Sequence, residues 1–199
     1  MAAFSGVERG MRISLLRHGE VEGAPAFRGR TDAPLSEAGW RQMEQAVAGR
    51  RWARIWTSPL ARCLVFAERL AERLDAPLRL DERLAELDFG DWEGLTAAEV
   101  MARDSGTLAR FWEDPARHPP PGGEDLASFE ARVMAAWAEI RALEPGPVLV
   151  VTHGGVIRLL RCRLEGRPLS ELLQLEVGHA SLHDFELPAA AGRLQAQEA

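Results

Sequence analysis

Apolar positions along the chain follow two different periods. Ile13-Ser14-Leu15-Leu16 and Val148-Leu149-Val150-Val151 are short, nearly continuous apolar runs. Runs of that length and composition fit parallel strands covered on both faces. Elsewhere the apolar residues recur every three or four positions. Trp40, Met43 and Val47 follow Ser36, a residue that can cap a helix. Leu60, Leu64, Ala67, Ala71 and Leu74 follow Ser58-Pro59, and Phe129, Val133, Ala136 or Trp137, and Ile140 line a third stripe. Further strands are predicted at 54–58 and 78–80, with a last edge strand at 182–187. Thr96 caps a short helix through about 103, another covers about 106–113, and one more runs from about 154 to 165.

Between these elements, 21–35 reads as a loop punctuated by Gly23, Pro25, Gly29 and Pro34. Residues 81–95 are too irregular for one element. His118-Pro119-Pro120-Pro121-Gly122-Gly123 is a stiff run ending in a hinge, and 104–123 as a whole is expected to cover a site. Gly39 slightly weakens its predicted helix. Strands alternating with helices predict an α/β fold, a three-layer sandwich with a mostly parallel sheet and helices on both faces. The expectation is one domain over 1–199, with its core at about 12–187, a loose leader before it and a loose tail after Pro188.

Both long apolar runs lead into the same pattern. The first ends in Arg17-His18-Gly19-Glu20 and the second in Thr152-His153-Gly154-Gly155. In open α/β sheets ligands bind just beyond the carboxyl ends of the strands. Two histidines are therefore expected to face each other across one site.

Composition narrows the function. With 199 residues, 46% of them hydrophobic, the chain can bury a sizeable core. A formal net charge of -6 and no basic stripe argue against nucleic acid as a partner. No apolar run approaches the ~20 residues of a membrane span, and Met1 to Arg12 lack a signal-peptide core. The reading is a cytoplasmic protein with no membrane partner, monomer or homodimer. The two cysteines, Cys63 and Cys162, read as small buried hydrophobes. Cys63 and Arg69 have the spacing of a tyrosine-phosphatase loop, but the residues between them are helical and lack glycine. His179 and His183 are four apart, yet no carboxylate completes a metal set around them.

Five segments in order resemble the histidine phosphatase, or phosphoglycerate mutase-like, superfamily. They are Arg17-His18-Gly19-Glu20, Ser58-Pro59-Leu60-Ala61-Arg62-Cys63, the stretch from Glu86 to Gly94, Pro121-Gly122-Gly123-Glu124, and Thr152 to Arg158. They span residues 12 to 160. Within the superfamily the chain looks most like the α-ribazole phosphatases of cobalamin biosynthesis, and it lacks the long middle insertion of phosphoglycerate mutases. The family usually has Thr after Arg-His-Gly-Glu and an Asn shortly beyond. Val21-Glu22-Gly23-Ala24 stand there instead, so a substrate-side hydrogen bond is expected to be lost.

The resemblance implies a phosphoglycerate mutase-like fold and a metal-independent phosphomonoesterase acting through a phosphohistidine. A small-molecule phosphate ester is the expected partner, first of all α-ribazole 5′-phosphate. A mutase, a broad sugar or organic phosphate phosphatase, and a phospho-ligand binding module are the alternatives. Neutral imidazole is a good nucleophile near pH 7, which assigns that role to His18. Arg17 and Arg62 offer planar donor forks for a phosphate, and His153 a third donor. Backbone N–H groups near Gly154, at a helix start, and the side chain of Arg28 are further expected phosphate contacts. Among Glu86, Asp88, Asp91 and Glu93 spacing alone does not choose; the resemblance makes Glu86 the proton donor. No cofactor or metal is called for, because the arginines carry the charge.

Overall fold

The computed structural model describes residues 11–143 and 146–187; the leader and tail expected at the two ends lie outside them. Five strands form one sheet: β1 (Met11–Arg17), β2 (Arg54–Thr57), β3 (Leu78–Leu80), β4 (Pro147–Thr152) and β5 (Leu182–Leu187). Their order across the sheet is β3-β2-β4-β1-β5. All pairings are parallel except β1 with β5. The two nearly continuous apolar runs, β1 and β4, are central neighbours, and the predicted last strand is the antiparallel edge.

Both faces are covered. Helices α1 (Glu37–Val47) and α2 (Ala61–Leu74) bury their apolar sides against Leu16, Ile55, Leu149 and Val151. On the other face α3 (Ala97–Glu113), α4 (Leu126–Arg141) and α5 (Gly154–Leu164) pack over Ile13, Leu15, Val148 and Val150. The three-layer sandwich follows from strand residues that are apolar on both sides of the pleat.

Local chemistry sets most boundaries. Ser36 accepts the Gly39 N–H and starts α1, while Thr96 and Glu99 form a reciprocal capping box for α3. As predicted, two helices fill this stretch: Asp104 (φ -155°, ψ 87°) breaks α3 in two, and its carboxylate caps the second half through Thr107. Phe129, Val133, Ala136, Trp137 and Ile140 are buried along α4, as their spacing predicts. The stripe on α2 is turned from the predicted one. Arg62, Cys63, Phe66 and Leu70 face inward with Ala67 and Ala71, and Leu60 and Leu64 are only half-buried. The shift has a physical reason: Arg62 occupies a core-facing slot because it enters the site. No described helix is long and apolar enough to cross a membrane.

Gly39 does more than weaken a helix. A Cβ on Gly39 would collide with the carbonyl oxygen of Glu20, and one on Gly19 with that of Gly39. The segment after β1 therefore lies backbone against backbone on α1, a contact that only two glycines allow.

Candidate active site

Parallel register brings the two strand ends level, with Arg17 opposite Thr152. The His18 N–H then donates to Thr152 O at 3.0 Å, and His153 follows as the residue just before α5. The imidazole centroids of His18 and His153 lie 5.3 Å apart with rings crossed at 62°. Here the chain leaves β1 toward α1 and leaves β4 toward α5, on opposite faces. That divergence opens the crevice in which α/β sheets bind ligands.

Hydrogen-bond inventory fixes both tautomers. His18 Nδ1 is 2.8 Å from the Gly19 carbonyl oxygen. A carbonyl only accepts, so Nδ1 carries the proton and Nε2 keeps its lone pair. His18 is buried, and desolvation, with Arg62 and Arg17 nearby, outweighs the Gly19 bond and lowers its pKa to about 3. Its ring is thus neutral at ordinary pH. At His153 the pattern is reversed. Arg62 Nε donates to Nδ1 at 3.3 Å, which leaves the proton on Nε2, and Nε2 donates to Ser58 Oγ at 2.7 Å. Burial, then Arg62 and His18, hold His153 well below the usual histidine range.

The arginines differ from one another. Arg62 is almost fully buried, and four of its five N–H groups are engaged by the protein. Nε meets His153, Nη1 meets Thr31 O, and Nη2 meets the carbonyls of Arg28 and Gly29. It ties loop 28–31 to His153 and leaves one Nη1–H for a ligand. Arg17 is the reverse. Nη1 donates to Val177 O at 2.6 Å, and its buried Nε has no partner. A buried donor without a partner beside the two histidines is a place for an oxyanion. The Arg28 guanidinium instead closes its own loop, through Glu22 O and Ala24 O, and makes no hydrogen bond to the other site residues.

Glycines at the start of α5 make room for the rest. A Cβ on Gly154 would lie 3.0 Å from Arg158 Nη1 and 3.4 Å from Arg17 Nε, and one on Gly155 would collide with Glu86. The helix N-terminus expected to serve a phosphate already holds a carboxylate: Gly155 N–H donates to Glu86 Oε2 at 3.0 Å. The four carboxylates that spacing left open separate by position. Glu93 accepts from the backbone of Gly29, Arg30 and Thr31 and from the Thr31 hydroxyl. Burial pushes its carboxyl up, but those bonds outweigh burial and hold it below the usual range. Asp88 caps Gly90, and Asp91 packs on Gly122. Glu86 is the one of the four that lines the cleft.

That cleft has a volume of about 260 Å³ and is walled by Phe27, Phe89, Phe111, Trp112, Phe129 and Leu173, with Arg158 at its edge. Trp92 is buried behind it, against Phe27 and Phe111, whereas Phe89 faces it. The 104–123 segment does contribute walls, but Gly122-Gly123 is no hinge. Asp91 N–H donates to Pro121 O and Glu124 N–H to Asp88 O, and a Cβ on Gly90 would collide with Gly123. Gly123 is there for a backbone-to-backbone fit against Asp88 O, and Gly122 for its left-handed φ of 66°.

Spacing alone missed Arg132. From α4 it donates to the carbonyls of Arg83, Ala85 and Glu86 and pairs with Glu124 at 2.6 Å, which positions the Glu86 backbone. Among apolar stripe residues its place gives no signal of that role. Cys63 is fully buried in α2, with its thiol pushed up by desolvation and its Sγ 3.7 Å from His153 Nε2. That is packing rather than a thiolate nucleophile. Among the described residues no group of three or more His, Cys, Asp or Glu could hold a metal ion.

The profile of the histidine phosphatase superfamily (branch 1) matches residues 13–198. The chain is 36% identical over 176 residues to the glucosyl-3-phosphoglycerate phosphatase of Mycobacterium tuberculosis, covering 81% of this chain and 78% of the relative. It is 32% identical over 177 residues to phosphoserine phosphatase 1 of Hydrogenobacter thermophilus, covering 86% and 84%. The crystal structure of the α-ribazole phosphatase from Shigella flexneri superimposes with a TM-score of 0.75 at 25% identity, over 93% of this chain and 100% of that one.

Proposed function

The chain belongs to the histidine phosphatase superfamily, and on that footing we propose that it is a metal-independent phosphomonoesterase working through a phosphohistidine on His18. The observation that carries this reading is the His18 ring: neutral, with Nδ1–H fixed on Gly19 O and Nε2 left with its lone pair. Nε2 attacks phosphorus as the ester P–O bond breaks. Arg17 Nε and the remaining Arg62 Nη1–H neutralise the non-bridging oxygens. His153 spends its one N–H on Ser58 Oγ and accepts from Arg62 Nε at Nδ1, so in place of the direct donation expected of it, it positions Arg62. Glu86 gives a proton to the leaving alkoxide, then takes one from the water that attacks the phosphohistidine, so the second step restores both residues.

For the substrate, the aromatic walls beside Glu86 support an ester whose alcohol carries a flat apolar body. α-Ribazole 5′-phosphate has that character. Arg158 favours a second reading. Its one side-chain hydrogen bond is Nε to Leu175 O, and it meets no carboxylate within ion-pair distance among the described residues. An acid-bearing ester of the phosphoglycerate or phosphoserine kind would give it a partner.

Phosphate release from α-ribazole 5′-phosphate, phosphoserine and 3-phosphoglycerate, measured with a chelator present, separates these readings. Fastest release from α-ribazole 5′-phosphate is the expected result, and the acids leading would favour the Arg158 reading. Interconversion of 2- and 3-phosphoglycerate without release would overturn the phosphatase.

A further inference from the structure

His179 and His183, four apart in sequence, do different things. The His183 Nε2 lies 3.0 Å from Ser181 Oγ. The His179 ring lies 5.7 Å from the ring of His18, centroid to centroid, and its nitrogens have no hydrogen-bond partner among the described residues. It is solvent-exposed.

Its segment is fastened to the strand end that carries the nucleophile. Ala180 N–H donates to His18 O at 3.1 Å, Arg17 N–H donates to Ser181 O at 3.1 Å, and Arg17 Nη1 donates to Val177 O at 2.6 Å. Ala180 holds a left-handed conformation at φ 53° although it is not a glycine. Such backbone strain persists where the surrounding structure over-determines it, and it gathers at functional sites. Here its effect is to set His179 beside His18.

We propose that His179 is a third histidine of the phosphate pocket, giving a ring N–H to a phosphoryl oxygen from the solvent side of His18. This deepens the phosphatase reading and rests on it for the identity of the anion. The charged and titratable groups facing His179 are Arg17 and His18 at the end of β1 and Glu20 in the loop that follows. Burial, then Arg17, hold its pKa below the ordinary value, with Glu20 opposing. An arriving phosphate dianion favours the protonated ring, so the contribution of His179 is largest at low pH and fades as pH rises.

The test is calorimetric binding of inorganic phosphate to the wild type, His179→Ala and His179→Gln at about pH 5.5 and about pH 8. Comparing variant with wild type at each pH removes the titration of phosphate itself. At the lower pH His179→Ala should bind about tenfold more weakly, the usual worth of one charge-assisted hydrogen bond. The gap should narrow at the higher pH, and His179→Gln should recover part of the affinity without the pH dependence. Because the side chain is exposed, thermal unfolding should be unchanged in both variants. Equal affinities at both pH values would overturn the proposal, as would an equal loss in both variants at both. If the wild type released phosphate from no ester while the binding difference persisted, the phosphatase reading would fail and the anion-binding role of His179 would stand.

Discussion

His18 Nδ1 and the Gly19 carbonyl oxygen, 2.8 Å apart, form a bond between adjacent residues that decides which ring nitrogen can react. With its pKa lowered to about 3 by burial, the His18 ring should show no protonation by NMR between about pH 8 and about pH 4.5. A midpoint near the ordinary histidine value would contradict the assignment. His18→Ala should abolish turnover and phosphoenzyme trapping, and retention of more than about a hundredth of the wild-type rate would remove it as nucleophile.

Three buried or half-buried histidines also make stability depend on pH. His18, His153 and His183 are all held below their ordinary value in the folded chain. Below about pH 6.5 the unfolded chain takes up protons at these rings that the folded one does not. Their contribution is therefore fully present above that pH and is lost as pH falls toward about 3, where burial places His18. Urea midpoints should drop steadily over that window. Stability that rises on acidification would show that the rings are charged in the fold.

Glu86 should act on the leaving group. Glu86→Gln should lose about 10²–10⁴-fold on an alkyl or nucleoside phosphate, the usual worth of a general acid. It should lose far less in phosphorylation by 4-nitrophenyl phosphate, whose phenolate leaves without help, and should accumulate phosphohistidine. Equal losses on both esters would pass the role to Asp88.

Ser58 should act through His153. In Ser58→Ala the buried Nε2–H loses its acceptor. We expect turnover to fall about tenfold or more, while the Arg62 Nε–H on Nδ1 keeps the His153 proton on Nε2 in ¹⁵N spectra. Ser58→Thr, which keeps the hydroxyl acceptor, should recover most of that turnover. A wild-type spectrum showing the proton on Nδ1 would refute the arrangement.

The Gly90–Gly123 junction should be intolerant of side chains. Gly90 has φ 53°, and a Cβ there would collide with the Gly123 backbone. Gly90→Ala should cost about 3 kcal/mol, combining backbone strain with overlap. That corresponds to a fall in Tm of roughly 6–12 °C for a chain of this size. An unchanged Tm would mean that the two segments can part.

How far the sequence carried depends on what each feature rests on. β1, β4 and the apolar face of α4 were legible because burial on one or both sides leaves a period. The pairing of His18 with His153 was legible because both end such strands. The engagement of Arg62 was not, since its partners are backbone carbonyls at 28–31, which any sequence would supply. His179 was hidden for a similar reason. Its position depends on a left-handed residue that is Ala180 rather than a glycine, so no turn signal marks it. The predicted hinge at Gly122-Gly123 failed because a glycine needed for close approach looks the same in sequence as one needed for motion.

The sheet order has a consequence for how such a protein diversifies. His18 and His153 extend from neighbouring strands in one parallel ladder, so their separation is tied to the spacing between strands, about 4.8 Å. The walls of the leaving-group cleft come largely from Phe89 to Phe129, outside that ladder. The two halves of the job are thus physically separate modules. Exchanging the 89–129 segment should redirect the chain to a new alcohol while phosphorus is still handled by the same pair of rings.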